Sequence, residues 1–221
     1  MLKQLLIGAV IIAAGAGASP AADIPVARFS ASDIPVARFS ASDLSGWSDK
    51  AHKGKTSYTL ENGALKAHSV QAASGKIRAL SIDTHKYPKL TWSWRIDHSL
   101  KREDIRLRSG DDFASRIYVV FPRTFFWQMR AINYVWSANM PKGSEAPSPY
   151  TANSRIIAVE SGNEKAGKWV FEERNIYEDY KRIFGEEPPL LGGIAIMTDT
   201  DDTRDEATAW YGDITLHSLV R

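Results

Sequence analysis

The chain has 221 residues, 28 lysines and arginines against 26 aspartates and glutamates, and no cysteine. That length fits one domain with enough chain to bury a core without covalent staples. The missing cysteine excludes disulfides, zinc-thiolate and iron-sulfur centres, a thiol nucleophile and a lipobox, and a formal charge of +2 supplies no field for nucleic acid.

Lys3 precedes a continuous apolar stretch over residues 5–14, followed by Ala16-Gly17-Ala18 and Pro20-Ala21-Ala22. This order reads as a secretory signal over residues 1–22 and sets the expectation of a periplasmic or secreted protein. The stretch is short of the roughly 20 residues that span a bilayer, which disfavours the alternative of an uncleaved anchor.

Immediately afterwards the decapeptide DIPVARFSAS occupies residues 23–32 and recurs unchanged at 33–42. Two copies cannot stack as a solenoid, which needs at least three repeats. The second copy runs into Asp43-Leu44-Ser45-Gly46-Trp47 and is the expected first strand, with Val36, Arg38 and Phe39 extended. The first copy is then a tether or a spare strand, and identity lets either pair in the same slot. Residues 43–221 make the single domain.

Residues 57–60 and 64–68 flank Glu61-Asn62-Gly63, and Asn-Gly between two β-prone runs signals a hairpin. Strands are next expected at 76–83 and 89–97. In the latter, Leu90, Trp92, Trp94 and Ile96 alternate with Thr91, Ser93, Arg95 and Asp97, the period of a half-buried antiparallel strand. Residues 113–121, 131–137, 155–161, 169–173, 193–199 and 207–217 complete the strand candidates. Only residues 175–184 look helical: Ile176, Tyr177, Tyr180, Ile183 and Phe184 recur at helical spacing, Gly185 suits the C-terminal cap, and Pro188-Pro189 bars continuation. One amphipathic helix among so many strands indicates an all-β fold, an antiparallel β-sandwich or jelly roll. The long polar connections 98–110 and 138–153 are of a kind that is usually functional or mobile.

The runs GDDFASRIYVVF (110–121), INYVWS (132–137), WVFEERNIYEDYKRIFG (169–185), IAIMTDTDDT (194–203) and WYGDI (210–214) resemble, in this order, the family of exported bacterial proteins catalogued as domain of unknown function 3047. The similarity extends from Phe39 onward and implies a single β-rich exported domain without an established activity. The doubled decapeptide departs from that pattern. The layout is also similar to carbohydrate-binding modules of the galactose-binding sandwich type, a likeness of fold that does not transfer function.

There is no Gly-x-Ser-x-Gly elbow, no His-Glu-x-x-His and no phosphate-cradling glycine loop, and the five histidines stand singly. Asp199, Asp201 and Asp202 sit where a strand is expected to end. Hard cations need six to eight oxygens, so Asp199 and Asp201, joined by Asp112, are candidate ligands for a structural calcium; a solvated acidic turn is the competing reading. An EF-hand is excluded because its sixth and twelfth positions would be Arg204 and Trp210. Asp111, Asp112, Glu160, Glu172, Glu173, Asp179, Asp199 and Asp213 could supply the paired carboxylates of a glycoside hydrolase or lyase, but spacing along the chain gives no distance across a cleft.

The aromatic residues carry the leading expectation. Sugars present apolar C–H faces with polar rims, and a site for them combines flat rings with bidentate donors. Trp127 lies in the bulky run Arg123-Thr124-Phe125-Phe126-Trp127-Gln128, which no single buried face accommodates. Trp127, Tyr118 and Trp136 are expected to stack, and Arg95, Arg116, Arg155 and Asn133 to hold hydroxyls or carboxylates, on a concave sheet face that recognises a polysaccharide or envelope glycan without turnover. Trp92 and Trp94 are assigned to the core. A protein-interaction surface of the cell envelope is the third reading, since interfaces enrich the same residue types.

Overall fold

Leu90, Trp92, Trp94 and Ile96 do enter the core, and the intervening Thr91, Ser93 and Arg95 turn away from it. The structure, a computed structural model, describes residues 24–25, 30 and 32–219. The expected signal segment and most of the first decapeptide lie outside those residues.

The strands are β1 (Ile34–Ala37), β2 (Trp47–Lys53), β3 (Ser57–Glu61), β4 (Ala64–Val70), β5 (Ala73–Ile82), β6 (Lys89–Ile96), β7 (Ser115–Phe121), β8 (Arg130–Ser137), β9 (Glu145–Pro147), β10 (Ser154–Ser161), β11 (Val170–Asn175), β12 (Leu191–Asp199) and β13 (Glu206–His217), with helix α1 (Ile176–Phe184) between β11 and β12. One sheet runs β11-β6-β13-β4-β3, with β1 also paired to β13; the other runs β2-β5-β12-β7-β8-β10-β9. Their facing sides share one core, to which β6 gives Trp92 and Trp94, β8 gives Tyr134 and Trp136, and β12 gives Ile194 and Ile196. Trp92 stacks on Tyr134 at 5.5 Å between ring centres, so aromatic contacts join the two sheets.

Local signals set the boundaries. Asn62 and Gly63 both have positive φ, 50° and 75°, the geometry of a turn that matches strand twist. Asn175 caps α1 by accepting a hydrogen bond from the Glu178 amide at 3.1 Å, and Gly185 closes the helix at φ 69°.

Two strands, β2 and β9, arise where the sequence shows no alternation; pairing with β5 and β10 creates them. Phe39, expected to be extended, instead begins a 3-10 turn over Phe39–Ala41 and is fully buried. The pair β8 and β10 is parallel, unlike the other pairs. Parallel neighbours require a crossover of a dozen or more residues, which accounts for the long connection 138–153. That connection and the 98–110 loop fold back over the sheet: Met140, Ala146 and Ile105 pack with Phe113, Val135, Ile156 and Ala158 in a second, smaller core.

Candidate functional site

Hairpin β7–β8 builds the centre of the outward face of the seven-stranded sheet. Ile117, Val119 and Phe121 on β7, and Ile132, Tyr134 and Trp136 on β8, point into the core. Strand alternation therefore turns Arg116, Tyr118 and Val120, with Ala131, Asn133 and Val135, to the other side. Tyr118 stands opposite Asn133 in the register, and Arg116 opposite Val135.

Arg116 is buried beneath this face. Its Nε donates to Asp199 at 2.9 Å, a second guanidinium nitrogen also binds Asp199, Nη2 donates to the Asp111 carbonyl at 2.8 Å, and Nη1 donates to the Tyr118 hydroxyl at 2.9 Å. Burial opposes its charge, but the neighbouring Asp199, Tyr118 and Asp111 outweigh burial and hold the guanidinium firmly protonated. Arg116 thus positions Tyr118 from below. Asn133 is 2% exposed, and its Oδ1 has no hydrogen-bond partner among the described residues. A buried amide oxygen left unsatisfied costs about 1–3 kcal/mol.

The turn between β7 and β8 carries the largest exposed rings. Phe125 and Trp127 stack with centres 4.8 Å apart and planes 8° from parallel, and they are 49% and 55% exposed. The turn is tied to the sheet, because Asn153 donates to the Trp127 carbonyl at 2.9 Å while accepting from the Ala131 amide at 3.0 Å. Thr124 and Gln128 beside the rings are exposed. The aromatic run in the sequence pointed to Trp127; Phe125, its stacking partner, was not singled out.

The other expected site residues are placed apart from this face. Trp136 is fully buried against Trp94 in the core, where no ligand can stack on it. Arg155 is in register with Ile132 and Pro147, on the core-facing set of β10, and is half-buried at the strand end. Arg95 lies on the opposite sheet, its guanidinium 3.9 Å from the Trp210 ring centre and 5.5 Å from that of Trp169. The three arginines therefore do not converge, and no single basic trough forms. Near Arg95, Ser57, Thr59, Lys66, His68 and Thr208 line a polar depression of about 380 Å³ on the outer side of the six-stranded sheet.

Among the acidic residues, Asp112, Asp201 and Asp202 bring carboxylate oxygens within 4.8 Å of one another. Asp112 also accepts from the Thr203 amide and hydroxyl, Lys53 lies 3.7 Å from Asp201, and Tyr150 donates to Asp202 at 2.8 Å. Asp199 faces Arg116 and the Phe113 amide. Glu160 accepts from Lys142 and Lys165 at 3.1 and 2.7 Å; burial works against its charge, but these partners keep its carboxyl below the usual range. Burial pushes Glu172 up to about 7, with the Glu160 charge adding to the effect and Lys142 opposing it. Glu103 is likewise raised to about 7 by burial, although Ser137 and the Ala138 amide donate to it.

Two hydrogen-bonded sheets closed over one core make the described residues a β-sandwich. The chain belongs to the family described as Protein of unknown function (DUF3047), whose model matches residues 45–215. No curated protein matches the sequence. Similar solved structures include a family 11 carbohydrate-binding module of the cellulosomal cellulase Lic26A-Cel5E of Clostridium thermocellum, at 10% identity and TM-score 0.45 over 86% of this chain and 97% of that one. A family 30 carbohydrate-binding module of a second cellulosomal cellulase from Clostridium thermocellum matches at 12% identity and TM-score 0.46 over 86% and 99%. The xyloglucanase domain of NopAA from Sinorhizobium fredii matches at 6% identity and TM-score 0.43 over 80% and 94%. Likeness at this level does not bear on what the chain binds.

Proposed function

We propose that the chain is a non-catalytic, exported binding domain whose ligand is a polysaccharide or envelope glycan, held at the β7–β8 end of the seven-stranded sheet. The observation that carries this reading is the parallel Phe125–Trp127 pair, two flat rings held in the open beside Thr124 and Gln128. Large rings are normally buried, and leaving two of them about half exposed forgoes on the order of 1 kcal/mol each unless a ligand covers them. A patch of two rings edged by polar groups suits the C–H face of a sugar and is far smaller than the roughly 800 Å² per partner of a stable protein interface. Tyr118, half-buried further along the same hairpin, adds a hydroxyl for a second sugar unit, while Asn133 opposite it is buried and shapes the face from below. Arg116 and Trp136 support the face from within.

The test is a glycan array probed with the purified chain, followed by calorimetry on any hit with wild type and Trp127→Ala. Binding that falls at least 10-fold in Trp127→Ala supports the site. Absence of binding to any glycan at millimolar concentration, or equal binding by the variant, overturns it.

A further inference from the structure

We infer that the edge groove holding β1 is an acceptor for either copy of the decapeptide, and that the first copy, residues 23–32, competes for it within the same chain. The groove is built for this particular sequence. β1 pairs antiparallel with β13 from Ile34 opposite Leu216 to Ala37 opposite Ile214, on the stretch of β13 beyond β4. Val36 and Phe39 are fully buried in the main core, and Phe39 meets Trp47 at 5.6 Å. Arg78 donates to the Val36 carbonyl. Asp33 accepts from the Ser218 amide and contacts His217 Nδ1, both at 2.9 Å, and the Ser40 amide donates to Asp213 at 2.9 Å.

Each of these recognition groups has its duplicate ten positions earlier: Asp23, Val26, Phe29 and Ser30 stand for Asp33, Val36, Phe39 and Ser40. The groups on the groove itself cannot distinguish the copies; the one contact that does is local, the Ser30 amide donating to Asp33 at 2.8 Å, for which Pro20, ten positions earlier, has no counterpart. The first copy is also within reach, because Ile24 lies over Gly212 of β13, its Cγ2 2.9 Å from where a β-carbon on that glycine would stand. Connectivity favours the second copy as well, and by more. With the first copy seated, residues 33–42 become a ten-residue insertion before Asp43, and closing such a loop lowers the equilibrium constant by about 30-fold. The second copy therefore fills the groove in the main state and the first in a minor one at about 3%. The recognition mode is strand addition to a sheet edge, with the occupant drawn from the chain itself.

The experiment compares denaturant unfolding of the full chain carrying Val36→Asp, Val26→Asp, both together, and Val36→Asp with residues 23–32 deleted. Val26→Asp alone should leave the folding equilibrium unchanged, and Val36→Asp should lower it by about 30-fold as the first copy takes over. The double variant and the deletion variant should lose at least a further tenfold or fail to fold. In the Val36→Asp background, Ser30→Cys with Asp213→Cys should close a disulfide in this otherwise cysteine-free chain. Equal damage from Val36→Asp with and without the first copy, or failure of that disulfide to form, overturns the inference. So does a concentration-dependent dimer carrying the disulfide between molecules.

Discussion

Arg116 on β7 and Asp199 at the end of β12 form an ion pair inside the sheet's outer layer, Nε to Oδ1 at 2.9 Å, with both side chains essentially inaccessible. The pair fixes the Phe113 amide on one side and the Tyr118 hydroxyl on the other. It thus couples the end of the 98–110 loop to the proposed ligand face.

Removing one member strands the other. Arg116→Met should lower stability by about 3–5 kcal/mol, since Asp199 is left as an uncompensated buried charge. Arg116→Met combined with Asp199→Leu should recover much of that loss. Urea unfolding of the single and double variants checks both statements, and a single variant within 1 kcal/mol of wild type would contradict the assignment.

Trp127 and Trp136 should behave oppositely. Trp127→Ala should change stability by no more than about 0.5 kcal/mol, because the indole is exposed, while weakening glycan binding. Trp136→Ala should cost about 3–5 kcal/mol through the cavity it leaves. Thermal melts alongside calorimetry separate the two.

Stability should fall as pH rises from 4.5 towards 7. Glu172 and Glu103 have folded-state values near 7 against 4.5 for an ordinary glutamate. Over that interval the unfolded chain has released protons that the folded chain retains, so raising the pH favours unfolding, by at most about 3 kcal/mol per group. Glu172→Gln mimics the neutral acid and should flatten its share of the slope and raise stability at pH 8. Denaturant midpoints at pH 5, 6, 7 and 8 for both proteins provide the check; identical slopes would show that Glu172 is ionised when folded.

Helix α1 should depend on its cap. Asn175→Ala removes the acceptor for the Glu178 amide and should cost about 1 kcal/mol. Asp179, which accepts from Tyr134 at 2.7 Å and pairs with Arg174 and Arg182, ties the same helix to β8; Asp179→Ala should cost more, because the buried Tyr134 hydroxyl and the Arg174 guanidinium lose their acceptor, whereas Arg182 keeps Glu145. Unfolding midpoints rank the two variants.

The order of strands, the Asn62-Gly63 hairpin, the capped helix and the alternation of β6 were legible in the sequence, because each depends on residues close together in the chain. Trp92 and Trp94 were assigned to the core by the same reasoning. Alternation separates the two sides of a strand without saying which sheet the strand joins. Arg95 and Arg116 each lie on the outward side of their own strands, yet β6 and β7 belong to opposite sheets with the core between them. For Trp136, alternation groups the ring with Ile132 and Tyr134, and only sheet-to-sheet packing sends that group inward. The sequence by itself determined a β-sandwich with one helix and an aromatic turn at Trp127, through local periodicity and turn chemistry. Tertiary structure alone decided which side chains meet, because the β12–β7 pairing that joins Arg116 to Asp199 brings together positions 83 apart in the chain.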